Sequence, residues 1–275
     1  MALPAYASVW DRTWHYTFLT ICIAIFFFLV APIIVIIPLS FNSVPYFTYP
    51  MPGFSLRWYA DFFNNPQWIL GLKNSVIVGV FATAIASVLG TLAALGMNRA
   101  VFPGKTAILA VLISPMVVPI VITAVGMFYF YSKLGLTSTL TGLILAHAAL
   151  GVPFVVITVS ATLVGFDNNL IRAGASLGAS PVNVFFKVTF PLILPGVVSG
   201  ALFAFIISWD ELVVAIMLAS SEQHTLPRRM WSGIRELISP TILAVATMLI
   251  VISILLMVMM ELLRRRSERL RGIRN

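Results

Sequence analysis

The sequence predicts an all-α membrane protein whose unit is a bundle of six transmembrane helices. Three observations predict it. Of 275 residues, 60% are hydrophobic and only 9% charged, far from the balance of a soluble domain. Six apolar stretches each approach or exceed the roughly 20 residues that a helix rising about 1.5 Å per residue needs to cross a hydrocarbon core near 30 Å. The net charge of +8 comes largely from one polybasic flank, "LLRRRSERLRGIRN", beside the last apolar stretch.

The spans fall at about 16–39, 75–97, 106–131, 141–164, 192–218 and 240–262. The first exceeds the apolar region of a signal peptide and has no small-residue cleavage pattern, so it reads as an uncleaved span. The chain divides into no second composition, which predicts a single transmembrane domain over 1–275. An even number of spans puts both termini on one side. That side holds eleven of the 17 basic residues, including Arg12, Arg99, Lys105, Arg172, Lys187 and the tail from Arg264 to Arg274. The opposite side holds Arg57, Lys73, Lys133, Arg228, Arg229 and Arg235. The excess predicts cytoplasmic termini.

Between the spans lie two amphipathic stretches on the outer side. "SLRWYADFF" (55–63) opens with a capping Ser and spaces Leu56, Tyr59 and Phe63 as the apolar face of a short interfacial helix. "TLPRRMWSGIRELI" (225–238) does the same with Leu226, Met230, Ile234 and Leu237, its arginines opposite. Within the spans, Ala82, Ala86, Gly90 and Ala94 form a stripe of small residues, and Gly196 and Gly200 form GxxxG. Both let helices approach closely and suit a bundle that pairs with another subunit.

Several chemistries are excluded or demoted. Cys22 is the only cysteine, so no intramolecular disulfide forms. The positive charge comes without a recognition pattern for nucleic acid, so its natural partner is the lipid bilayer. His147, in the fourth span, has no Asp, Cys or second His at ligand spacing, so no metal site is expected and the imidazole reads as a core or pore-lining group. "FPGKT" (102–106) lacks the leading Gly of a phosphate loop, with Arg99 in its place, so no ATP site is expected on this chain.

Charges inside spans cost roughly 2.5–3.5 kcal/mol each on insertion scales, which makes them functional candidates. Asp210 and Glu211 sit in the fifth span beside Ser208 and Trp209. A carboxylate next to an indole suits a transient cation site, and adjacent helical residues diverge by about 100°, so one of the two faces a cavity and the other a polar partner. Ser114, Pro115 and Pro119 interrupt the third span and free carbonyls that can line a cavity. The candidate translocation path is therefore Ser114, His147, Trp209, Asp210 and Glu211. A structural pairing of the two carboxylates across a subunit interface is the alternative.

The longest inner loop, about 166–191, contains "IRAGASLGASPVNVFFKVTFPLILPG". Small residues replace bulk at Ala173, Gly174, Ala175, Gly178 and Ala179, and Gly178 lies where the chain must turn between two short helices. Beyond Pro181, Val184, Phe185, Val188 and Phe190 recur at helical steps. This pattern resembles the EAA loop of ABC importer permeases. Ala173 stands at the motif's first Ala, Gly178 at its Gly, and Val188-Thr189-Phe190-Pro191 at its closing Ile-x-Leu-Pro. "LKNSVIVG", "MNRAVFPGK", "FVVITVSATLVGFD" and the stretch through "SWDELVVA" extend the likeness over essentially the whole chain. Within the family it is most similar to the second, C-type permease subunit of the spermidine/putrescine class.

The resemblance implies a type I ABC importer permease fold in a bacterial inner membrane. It implies a non-catalytic subunit that binds no cofactor itself, with ATP and Mg on two partner ATPase subunits. A second permease subunit, forming a heterodimer, and a periplasmic solute-binding protein complete the set. It further implies that Arg172, Ala173, Gly174, Ser176, Gly178, Ala179, Pro181 and Phe185 couple the chain to its ATPase. Two positions depart from the motif: Arg172 replaces its Glu and Gly174 its second Ala, so the usual salt bridge must be made differently. The implied solute is a polyamine. Polyamine permeases can carry an acidic residue after the Ser-Pro of the third span, where this chain has Met116, which leaves opine-like or amino-acid-like solutes as an alternative. An ion-gradient carrier would need inverted repeats, and an intramembrane enzyme a paired catalytic geometry; neither is visible in the sequence.

Overall fold

The structure, a computed structural model, describes residues 8–99, 102–167, 169–236 and 239–270. Helix α1 (Val9–Leu39) begins with a capping box: Ser8 Oγ accepts from the Asp11 amide at 3.2 Å while Asp11 Oδ2 accepts from the Ser8 amide at 3.0 Å. It buries no residue, and its main neighbour is the final helix. A long connection then leads to α2 (Arg57–Asn64), held by the Trp58 indole N–H donating to the Asn42 carbonyl at 2.7 Å.

The inward face of α2 is Trp58 and Phe62, while Leu56 is 66% and Phe63 57% exposed. Leu56 and Phe63, the interfacial face expected from the sequence, thus point away from the bundle, and a second apolar face packs on it. Where most residues of a short helix are aromatic or aliphatic, the pattern admits two faces, and packing on the bundle selects one. Phe62 is wholly buried and meets Trp68 of α3.

Helix α3 (Pro66–Arg99) starts nine residues before the expected span. Proline at its first position has the fixed φ a helix start needs and no amide to waste. The polar residues of its first turns are satisfied by the chain far downstream. Asn74 Nδ2 donates to the Glu222 and His224 carbonyls at 2.8 and 3.1 Å, and Ser75 Oγ accepts from the Leu226 amide at 2.8 Å.

The third apolar stretch forms two helices, α4 (Lys105–Val117) and α5 (Ile120–Lys133), bent by 108° at their junction. Pro119 lacks the amide that would continue the ladder, and Val118 is extended. Counted as one broken span, this pair brings the candidate crossings among the described residues to six. Helix α6 (Leu140–Val164) follows, capped by Thr139 Oγ1, which accepts from the Gly142 amide at 3.0 Å. The inner loop carries α7 (Asn169–Ser176) and α8 (Pro181–Val184), and a π-helical turn at Phe185–Thr189 runs directly into α9 (Phe190–Asp210).

The expected fifth span does not continue to 218 as one helix. It stops at Asp210 and resumes as α10 (Val213–Leu218), with Glu211 extended between them. After α11 (Leu226–Glu236), the chain closes with α12 (Thr241–Leu270). In α11, Leu226 is buried and Met230 half-buried in one cluster, but Ile234 is 47% exposed and Leu237 lies outside the described residues. Arg271 and Arg274 of the basic tail also lie outside them.

Helices α3, α6 and α9 pack most closely on one another and form the centre. The small-residue stripes make this possible. A Cβ added at Gly90 would lie 2.6 Å from Val155 Cβ, and one at Gly200 would lie 2.7 Å from the Val155 backbone. Ala86 and Ala94 are wholly buried between the same helices. The stripes thus close contacts within the chain, the packing role expected of them; in lipid, such van der Waals contact is what holds helices together.

Candidate functional site

Two interruptions of the spans meet at one cavity of about 330 Å³. The break between α4 and α5 supplies Met116 and Ile120, α6 supplies Leu150 and Phe154, and the end of α9 supplies Ile206 and Asp210. Backbone that leaves the helix at membrane depth is tolerated where it lines such a space. Leu150 and Phe154 lie one turn apart on α6, as do Ile206 and Asp210 on α9, so each helix shows the cavity a single stripe. The sequence reading named Met116 but missed Ile120, Leu150, Phe154 and Ile206, because nothing distinguishes them from core positions until the breaks are placed.

Asp210, the last residue of α9, is exposed and has no hydrogen-bond or ion-pair partner among the described residues. Glu211 also borders the cavity, yet it is only 8% exposed, and its Oε1 accepts from the Val214 amide at 2.6 Å. Both carboxylates thus reach the cavity wall, where the sequence reading expected one, and they differ in partner: Glu211 is taken up by a backbone amide at the helix break and Asp210 is not.

Trp209 does not join them. It is 4% exposed and points away from the cavity, stacked on Phe205 with ring centres 5.6 Å apart, in the cluster of Phe62, Trp68 and Leu226. The expected pairing of this indole with a cavity carboxylate is not formed; the aromatic residue in the wall is Phe154. His147 is likewise buried at 1% exposure, its Nδ1 2.9 Å from Ser208 Oγ, and sits outside the wall. Ser114 Oγ donates to the Val111 carbonyl at 2.8 Å, a bond within its own helix, and is not part of the wall either. No group of three or more His, Cys, Asp or Glu side chains suited to a metal occurs among the described residues.

The inner loop forms a second surface. Helix α7 ends in a Schellman turn: the Ala179 amide donates to the Gly174 carbonyl at 3.1 Å and the Gly178 amide to the Ala175 carbonyl at 3.0 Å. Gly178 at the turn has φ +76°, a conformation only glycine adopts without strain. Ser180 Oγ then caps α8 by accepting from the Asn183 amide at 3.3 Å, with Pro181 at the first helical position. Gly174 lets the two short helices close on each other, since a Cβ there would meet Val184 Cγ2 at 3.1 Å. An alanine there, as in the motif, would need Val184 to give way by a few tenths of an ångström. Arg172, Ala173, Ser176 and Gly178 face outward, and Leu177 is 88% and Phe186 61% exposed. Ala179, Pro181 and Phe185 border a small cavity of about 140 Å³ inside the turn.

Residues 86–269, which include both surfaces, match the family described as the binding-protein-dependent transport system inner membrane component. The chain belongs to this family. The spermidine/putrescine transport system permease protein PotC of Haemophilus influenzae is 35% identical over 89% of this chain and 95% of its own length. Among solved structures, a bacterial ABC transporter involved in the import of the acidic polysaccharide alginate matches with a TM-score of 0.73 at 17% identity, covering 96% of this chain and 99% of that one. A bacterial alginate ABC transporter in complex with alginate pentasaccharide-bound periplasmic protein matches at a TM-score of 0.67 and 17% identity, over 94% and 96%. This permease therefore has the type I ABC importer fold and is an inner-membrane component of such a transporter. In the permease, the broken spans and the helical loop are two separated features of one fold, joined by α9.

Proposed function

We propose that this permease forms the translocation path for a small cationic solute, a polyamine such as spermidine or putrescine, driven by ATP hydrolysis on partner subunits. The observation that carries the reading is Asp210, a carboxylate with no partner among the described residues, facing a largely apolar cavity between two helix breaks. An alkylamine is matched by that surface at both levels: ammonium to carboxylate, methylenes to Met116, Leu150, Phe154 and Ile206. Similarity to PotC supports the same solute class.

In this reading both termini are cytoplasmic and the α7–α8 loop docks on an ATPase, with Arg172 meeting an acidic group there. The complex holds two ATPase subunits, a second permease subunit in a heterodimer, and a periplasmic solute-binding protein. This chain is non-catalytic and carries no cofactor; ATP and Mg belong to the ATPase subunits. ATP-driven closure of those subunits moves the docked loops and switches the bundle between inward- and outward-facing states, a two-state change biased by nucleotide.

Met116 favours a second solute class. With a thioether where polyamine permeases can carry an acid, the cavity offers one free carboxylate, which also suits opine-like or amino-acid-like solutes with a single ammonium group. Purification of tagged chain from its native membrane in gentle detergent, followed by ATPase assay and uptake by reconstituted vesicles, tests all of this. Recovery of an ATPase and a second permease, with ATP-dependent uptake of spermidine or putrescine, is expected. Uptake confined to amino acids or opines would move the solute assignment, and a lone chain transporting on an ion gradient would overturn the reading.

A further inference from the structure

We infer that only Asp210 of the two adjacent carboxylates meets the solute, and that Glu211 is a positioning residue that holds the break in the fifth span by capping α10. This rests on the cavity being the solute path and assigns the division of labour within it.

Breaking a helix at membrane depth leaves the first amides of the next helix without partners and without water to take them. Leu212, at the N-cap of α10, supplies no side-chain acceptor. Glu211 does: its extended backbone, φ −70° and ψ 122°, turns the chain, and its own carboxylate then folds over the new helix start to take the Val214 amide at 2.6 Å. The pair is buried, whereas Asp210, one residue earlier, is exposed to the cavity with no partner among the described residues. Helix α10 is in turn fastened to the other broken span. It packs on α5, and the Ser138 amide donates to the Leu218 carbonyl at 2.8 Å. The cap therefore secures both interruptions that frame the cavity.

Two roles make different demands on a side chain. A cap needs an acceptor oxygen, which glutamine supplies as well as glutamate. A ligand for an ammonium group needs the charge. With Glu211 committed to the backbone, one free carboxylate remains in this wall among the described residues, so this chain engages one ammonium group at a time, and an extended amine meets it end first.

The test uses the complete complex, reconstituted for spermidine uptake and, in parallel, examined by amide hydrogen exchange. Asp210→Asn should raise the KM for spermidine roughly tenfold or more, the value of a hydrogen bond to a charged group, with exchange in α10 unchanged. Glu211→Leu should speed exchange of the α10 amides and lower the maximal rate, and Glu211→Gln should recover both. Loss of affinity in Glu211→Gln equal to that in Asp210→Asn would overturn the assignment, as would normal α10 exchange in Glu211→Leu. If Glu211→Leu does not assemble, the KM and exchange of Glu211→Gln decide alone. If the unsubstituted complex takes up no spermidine, the solute reading falls, and the exchange measurement still decides the capping role.

Discussion

His147 Nδ1 and Ser208 Oγ lie 2.9 Å apart in a fully buried layer and join α6 to α9. His147 Nε2 has no partner among the described residues, so this contact is the imidazole's one hydrogen bond there. Ser208→Ala should cost about 1–3 kcal/mol, the penalty for stranding a buried polar group. The His147→Leu/Ser208→Ala pair should recover most of it, because both polar groups leave together. Thermal unfolding of the detergent-solubilised chain measures both.

Gly151 separates two neighbouring helices at once: an added Cβ would lie 2.9 Å from Ala204 Cβ and 3.2 Å from Ala86 Cβ. Gly151→Ala should therefore destabilise the bundle by about 1–3 kcal/mol through overpacking. Adding Ala204→Gly removes the nearer obstacle and should restore part of the loss. A double-mutant cycle on unfolding midpoints reads the coupling, and additive effects would contradict direct contact.

Trp209 separates a stability role from a transport role. Its indole N–H has no partner among the described residues, so Trp209→Phe gives up no hydrogen bond and keeps an aromatic ring against Phe205. Its uptake KM should match that of the unsubstituted permease. Trp209→Ala should cost about 3–5 kcal/mol of stability by emptying the cluster. A raised KM in the phenylalanine variant would place the indole in the path after all.

At Gly178 an added Cβ would meet nothing of this chain within 4 Å, so the cost within the chain comes from its backbone φ of +76°. A non-glycine residue there pays roughly 1–2 kcal/mol for the left-handed conformation, least for asparagine. Gly178→Leu should insert normally yet hydrolyse ATP without transport, and Gly178→Asn should fall between. ATPase rate against uptake in vesicles gives the ratio; normal coupling in Gly178→Leu would remove the turn from the mechanism.

Much of this was readable in the chain itself. The apolar runs located the spans, and Pro119 announced the break in the third, because a missing amide is a chemical fact of one residue. The break after Asp210 had no such marker. "WDELVVA" contains neither Gly nor Pro, and its departure from the helix is held by a carboxylate whose amide partner appears only once the chain has turned. The early start of α3 was hidden for a related reason. Gln67, Lys73 and Asn74 lower the local hydropathy, and the carbonyls that satisfy Asn74 come from about 150 residues away in sequence. Trp209 was misplaced because a carboxylate and an indole adjacent in sequence diverge by about 100° on a helix.

Helix α9 spans 21 residues without interruption, about 30 Å at 1.5 Å per residue, from the π turn to Asp210. Gly200, one of the two glycines at which it lies against α6, is at its midpoint. Such a beam pivoted at its centre exchanges movement between its ends one for one. A tilt of about 10° imposed at the loop would swing the carboxylate about 2.5 Å in the opposite direction, enough to make or break its contact with an ammonium group. On the roles proposed for Asp210 and the α7–α8 loop, solute and nucleotide act on opposite arms of one seesaw.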